Sequence, residues 1–142
     1  MKLVDLNVLL YAVNDDSPRH NAVLNWWNVA LNGDETIGLP WVVLLGFLRI
    51  STNPRAFPRP LDADDAIGKV DTWLALDNVR AIREQDNHWE ILRSLVAESG
   101  TAGNLTTDAH LAALAIGHAA ILVSCDSDFG RFKGLRWENP LD

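Results

Sequence analysis

Short continuous apolar runs alternate along this chain with longer stretches whose apolar residues recur every three or four positions. The runs Leu3–Asp5, Thr36–Leu39, Val79–Ile82, Ala120–Ser124 and Leu135–Trp137 predict short strands, the last at an edge. Helical spacing predicts helices over Asn7–Val13, His20–Leu31, Trp41–Ser51, Asp62–Leu76 and His88–Glu98, and a last one capped by Thr106 or Thr107 and running to about His118. In His20–Leu31 the spacing is carried by Val23, Trp26, Trp27 and Ala30. Turn formers separate these pieces: Asp15-Asp16-Ser17-Pro18, Asn32-Gly33-Asp34, the Asn53–Pro60 loop with its three prolines, and Gly100-Thr101-Ala102-Gly103. Pro40 suits the start of the Trp41–Ser51 helix, Asp62 or Asp64 suits a cap, and Asp126–Phe129 begins a loop or short helix.

Strands alternating with helices predict an α/β fold, a central mainly parallel sheet sandwiched by helices with right-handed crossovers. With 142 residues, the chain is expected to form a single domain over 1–142. Ligands in such folds bind outside the carboxyl ends of the strands. Asp5 and Asp126 follow two predicted strands, and Asp108 lies in the first turn of a helix that can face the same end. Carboxylates gathered there repel one another unless a divalent cation or bound protons intervene. A magnesium or manganese site, and with it a metal-dependent nuclease, is the expectation.

Composition narrows the classes. A 48% hydrophobic content supports a packed core, and six tryptophans suggest a well-filled core or an interaction face. The longest apolar stretch, Trp41–Leu48, is far too short to cross a bilayer, and the N-terminus lacks the apolar block of a secretory signal. No membrane role and a cytoplasmic location are therefore expected. The one cysteine, Cys125, permits no internal disulfide and fits a reducing compartment. A net charge of −7 disfavours long-range attraction to nucleic acid and favours a short, specific contact. Positive charge is locally grouped at Arg49, Arg55 and Arg59, and again at Arg131, Lys133 and Arg136.

Each candidate has a bland role beside the chemical one. Asp5 can cap a helix or hold a metal; Asp108 can complement a helix dipole, which would keep it ionised, or serve as a ligand. Of Asp126 and Asp128, Asp126 is nearer the strand end and is preferred as the ligand. Asn7 is expected to fix its turn, and Ser124 to be a small strand residue or a hydrogen-bond partner. Arg49 or Arg55 can clamp a phosphate or simply be solvated. His20, His88, His110 and His118 show no ligand spacing, so no zinc site is expected, and Cys125 reads as a buried structural thiol.

At these residues the chain resembles the PIN-domain ribonucleases, and within them the VapC-like toxins of bacterial toxin–antitoxin pairs. The resemblance is carried by LVDLNVLLYAVN, LPWVVLLGFLRISTNPRAF, GTAGNLTTDAHLAALAIGHAAILVSCDSDFGRF and LRWENP, in that order over nearly the whole chain. It implies a helix-sandwiched parallel sheet, a homodimer, a VapB-type antitoxin partner with a basic tail, and Mg²⁺- or Mn²⁺-dependent cleavage of RNA. It places Asp5 and Asp108 as principal metal ligands, Asp126 as the acid completing the cluster, and Asp128 where some members add another. One departure stands out: the family's usual helical glutamate falls at Gly46, and no Asp or Glu occurs between Thr36 and Leu61. Asp15, Asp16 or a substrate phosphate can take its place.

Three other functions remain in view. A phosphatase of the haloacid-dehalogenase type would want an acid where Asn7 stands. A phospho-acceptor receiver would want a lysine where Cys125 and Asp126 follow the late strand. The stronger alternative is a weakly active or inactive PIN domain that acts mainly by binding RNA or antitoxin.

Overall fold

The computed structural model describes residues 1–100 and 102–142. Among them five strands form one sheet: β1 (Lys2–Val4), β2 (Ile37–Pro40), β3 (Val79–Ile82), β4 (Ile121–Val123) and β5 (Arg136–Glu138). The strand order is β3-β2-β1-β4-β5 with all four pairings parallel, so the expected α/β sheet is present and is parallel throughout. The described helices are α1 (Leu6–Val13), α2 (His20–Leu31), α3 (Trp41–Ser51), α4 (Ala63–Leu74), α5 (His88–Ser99) and α6 (Thr106–Gly117).

Consecutive strand residues face opposite sides of a sheet, so their joint burial shows that both faces are covered. Leu3 and Val4 on β1 are fully buried, as are Leu122 and Val123 on β4. Helix α1 packs on both α2 and α3, α3 packs on α4, and α5 packs along α6, which also contacts β4. Trp27, Phe47 and Trp73 meet edge to face, with ring centroids 5.5 Å and 5.0 Å apart, and fill the core between α2, α3 and α4. The most exposed tryptophans are Trp41 on α3 and Trp89 on α5. Among the described residues no helix is long and apolar enough to cross a membrane.

Most element ends lie within a residue or two of the expectation, and one differs for a physical reason. Pro40 ends β2 and, in extended conformation, is the N-cap residue of α3, so it stands at the start of that helix as expected. Neither Thr106 nor Thr107 caps α6. A 3₁₀ turn at Gly103–Leu105 runs straight into it, and Leu105 already has helical dihedrals. With no extended residue ahead of the helix, the Thr106 hydroxyl donates back to the Gly103 carbonyl at 2.9 Å. The turn expected at Gly100–Gly103 includes Thr101, which lies outside the described residues.

The chain leaves β1 toward β2 and β3 on one side and returns to β4 on the other. The crevice between the ends of β1 and β4 is therefore the topological switch point, where ligands of open parallel sheets bind.

Candidate functional site

Asp5 is the residue at which β1 becomes α1. Its N–H donates to the Val123 carbonyl at 2.9 Å, carrying the β1–β4 ladder one step further, while its Oδ1 accepts from the Leu6 N–H at 2.7 Å as the cap of α1. Its Oδ2 accepts from the Ser124 hydroxyl at 2.7 Å and from the Asn7 amide at 3.3 Å. The residue is only 8% exposed.

Ser124, fully buried just past β4, is the centre of this network. Its oxygen accepts from the Asn7 amide at 3.2 Å and from the Asp126 N–H at 3.0 Å. Both lone pairs are then engaged, so its proton goes to Asp5. The Asn7 carbonyl in turn accepts from the Cys125 N–H at 3.1 Å. Asn7 and Ser124 thus fasten the ends of the two strands together, and Ser124 is at once a buried strand-end residue and a hydrogen-bond partner.

Asp126 caps a 3₁₀ turn at Ser127–Arg131, its Oδ1 accepting from the Asp128 N–H at 2.9 Å. The Asp128 side chain is exposed and faces Arg131, whose Nη2 lies 3.8 Å from Asp128 Oδ1. Arg131 Nε also donates to the Asp128 carbonyl at 3.2 Å.

Asp108 enters from the first turn of α6. Burial and then the charges of Asp126, Asp5 and Asp128 push its carboxyl up to about 6, with Arg131 opposing. Desolvation and three neighbouring acids thus oppose the helix start, and the carboxyl ionises only above about pH 6. Asp5 is also raised, by burial first, with the bonds from Ser124 and Leu6 opposing and Asp126 adding. Asp5, Asp108 and Asp126 therefore share one rim and one electrostatic field. Among the described residues, however, no three His, Cys, Asp or Glu side chains are grouped so as to hold a metal ion as they stand. The geometry is an open acidic edge.

This edge has a consequence for stability. A carboxyl raised in the folded state binds its proton more tightly there than in the unfolded chain, so folding is favoured below the unfolded value and disfavoured as pH rises through the folded one. For Asp108 the window runs from about 4 to about 6. Metal-free protein is expected to lose about 1 kcal/mol across it, after discounting for Asp108's partial exposure. Thermal unfolding in EDTA between pH 4 and pH 7 measures this, and a rising melting temperature over that range would contradict it.

Other candidates lie elsewhere. Arg49 sits in the last turn of α3, and Arg55 follows in the Asn53–Pro60 loop, where its N–H donates to Asn53 Oδ1. The cation acting on Asp108 is Arg131. Asp15 and Asp16 are engaged by Arg59, at 2.7 Å and 3.0 Å. Gly46 is buried in α3 against α1, where an added Cβ would come within 2.7 Å of Leu6 Cδ2. A glutamate there requires the Leu6 tip to move, so glycine and leucine have taken the space of that acid.

Cys125 is pushed up to about 11, chiefly by burial, and behaves as an inert thiol. The histidines hold one surprise: His88 Nε2 lies 2.9 Å from His110 Nδ1 across α5 and α6, and His110 Nε2 lies 3.6 Å from Glu84. Spacing along one helix could not show it, because the partners come from different elements. Both rings are lowered, by burial first, so the pair is neutral at pH 7.

A five-stranded parallel sheet with acids at its switch point defines a class, and the sequence agrees: the chain matches the PIN domain family over residues 2–135 and belongs to it. Among characterised relatives, it is 49% identical over 140 residues to Ribonuclease VapC37 of Mycobacterium tuberculosis, covering 99% of this chain and 97% of that protein. It is 43% identical over 141 residues to Ribonuclease VapC33 of the same species, covering 99% of both. In structure it resembles a chain of VapBC2 from Rickettsia felis, solved bound to a promoter DNA fragment. The TM-score is 0.71 at 21% identity over 97% of each chain, a likeness of fold.

Proposed function

We propose that this protein is a metal-dependent endoribonuclease, the toxin of a VapBC-type toxin–antitoxin pair, that hydrolyses RNA phosphodiester bonds. The observation that carries it is the acidic edge itself. Asp5 and Asp126 are fixed through one buried serine, Asp108 is raised by burial and then by their charges, and a relative 49% identical over 140 residues is named a ribonuclease.

The donor set fits a hard divalent cation, since all its atoms are carboxylate oxygens and their mutual repulsion is what such an ion relieves. We assign the ion as Mg²⁺ or Mn²⁺, held by Asp5, Asp108 and Asp126 with Asp128 accessory. When bound, it supplies charge neutralisation at a phosphoryl oxygen and a more acidic bound water. The chain's own part is positional. Asp5 keeps one lone pair of Oδ1 beyond its bond to Leu6, and Ser124 and Asn7 lock the ring of atoms behind it. Asp126 has Oδ1 tied to the Asp128 amide, so Oδ2 is the oxygen we assign to orienting the attacking water for in-line displacement. That attack expels the 3′-oxygen and leaves a 5′-phosphate.

The partners follow from the same reading: RNA, a VapB-type antitoxin and a second copy of the chain, in the cytoplasm. The exposed apolar residues Trp41, Val42 and Leu45 on α3 support a protein contact, and the net charge of −7 suits a basic antitoxin tail. Arg49 and Arg55 are kept as candidate phosphate contacts at the end of α3 and the loop after it.

Gly46 favours a second reading, in which the domain binds RNA or antitoxin with little turnover. Titration of single-stranded RNA cleavage with Mn²⁺ or Mg²⁺ separates the two. Saturable activity abolished by EDTA is expected. Cleavage indifferent to EDTA would overturn the metal assignment. RNA bound but uncut at every metal concentration would establish the binding reading instead.

A further inference from the structure

We propose that the cleft between the end of α5 and the Phe129–Lys133 segment is a subsite for one nucleotide of the RNA strand, its backbone phosphate held by Arg131 and Lys133. The subsite rests on the ribonuclease reading above, but names residues and a surface that the acids do not include.

The cleft has a volume of 360 Å³ and is lined by Leu95, Glu98, Ser99, Arg131, Phe132 and Lys133. That is room for a single nucleotide rather than a run of them. Leu95 and Phe132 are each 5% exposed, so the floor is apolar and can take a ribose edge or a base. The rim carries two cations, Arg131 and Lys133, and the carboxylate of Glu98, and Asp128 Oδ1 lies 3.8 Å from Arg131, so its charge is balanced on a chain of net charge −7.

Position ties the cleft to the reacting edge. Arg131 belongs to the same 3₁₀ turn that Asp126 caps, and its guanidinium is set by contacts to both the carbonyl and the carboxylate of Asp128. Its side chain is still 44% exposed, which leaves donors for a phosphate. A strand whose scissile phosphate lies over Asp5 and Asp108 meets Arg131 next. Beyond it, a neighbouring hollow shares Leu95, Glu98 and Lys133 but adds Glu90, whose charge repels further phosphates. The path is therefore short, as an acidic nuclease requires.

The test is binding of a 5′-fluorescein-labelled ten-nucleotide single-stranded RNA in Ca²⁺, followed by anisotropy from 50 to 300 mM KCl. Variants are Arg131→Gln, Lys133→Gln, their combination, Arg131→Lys, and Arg80→Gln on β3 as a distant charge control. The double variant is expected to bind about five- to tenfold more weakly at 100 mM salt. Its slope of log affinity against log salt should fall by about 0.7, the size of one lost phosphate contact on a single strand. Arg131→Lys should retain most of the affinity, and Arg80→Gln all of it.

Unchanged affinity and slope in the double variant overturn the subsite, as does equal weakening by Arg80→Gln. Absence of RNA binding by the wild type also overturns it. So does a defect seen only toward an antitoxin peptide, which would make the cleft a protein contact. If the double variant shows the loss while wild-type protein cleaves no RNA with Mn²⁺, the subsite stands and the ribonuclease reading fails.

Discussion

Asp108→Asn is expected to lower RNA cleavage by about 10³-fold while making the metal-free protein more stable at pH 7. The first effect is the size of losing roughly 4 kcal/mol of charge stabilisation at the phosphoryl group. The second comes from removing a half-buried charge that three other acids oppose. Above pH 6 the wild-type carboxyl is ionised in the folded state against that repulsion, and asparagine removes the penalty. After discounting for exposure the gain is about 1 kcal/mol, roughly 4 °C in melting temperature for a domain of this size. Adding Mn²⁺ should then stabilise wild type more than the variant. Full activity in purified Asp108→Asn, or a variant less stable than wild type in EDTA, would remove Asp108 from the proposed site.

Asp5→Asn is expected to abolish cleavage to a similar extent but with the opposite effect on stability. The asparagine carbonyl can still accept from Leu6 as the cap of α1. Its amide then faces the Ser124 hydroxyl and the Asn7 amide, both of which donate to Asp5 in the wild type. Ser124 cannot relieve the conflict by turning, because its oxygen already accepts from Asn7 and Asp126. Leaving such buried donors without acceptors costs about 1–3 kcal/mol. The two substitutions therefore differ in their effect on the fold: Asp108→Asn leaves it firmer and Asp5→Asn loosens it. Chemical denaturation of both variants and of Asp5→Asn with Ser124→Ala measures this. Removing the serine donor should recover part of the loss. An Asp5→Asn protein as stable as wild type would mean that the hydrogen-bond network around Ser124 is not as described.

The contrast between the two aspartates shows what each level of description supplies. The sequence made both look alike, acids at the start of a helix near a strand end. Only the packing distinguishes a carboxylate whose oxygens are engaged by Leu6, Ser124 and Asn7 from one partly buried among like charges. The same holds for the cations. Arg49 and Arg55 lie beside a motif, whereas Arg131 reaches the acidic edge through a 3₁₀ turn that apolar periodicity cannot show. A signal was nonetheless there, since Arg131 stands three residues beyond Asp128, one turn away on a helical path. The tryptophans show the limit again: periodicity put Trp26 and Trp27 on a helix without saying which faced the core. The ring packing of Trp27 on Trp73 decided it.

What this sequence determined by itself is the order and kind of its elements and the class of its chemistry. Helix α2 at His20–Leu31, α3 at Trp41–Ser51 and strand β3 at Val79–Ile82 are written in local spacing, because burial of one helical stripe or of a whole strand leaves a period in the chain. The PIN motifs fixed the family for the same reason, since they are contiguous in sequence. The tertiary structure alone decided the strand order β3-β2-β1-β4-β5, the Ser124 link between strand ends, the Gly46–Leu6 contact and the His88–His110 pair. Each of these joins residues far apart along the chain. Such contacts are set by how layers pack and by which polar groups must be satisfied once buried, and neither leaves a local period to read.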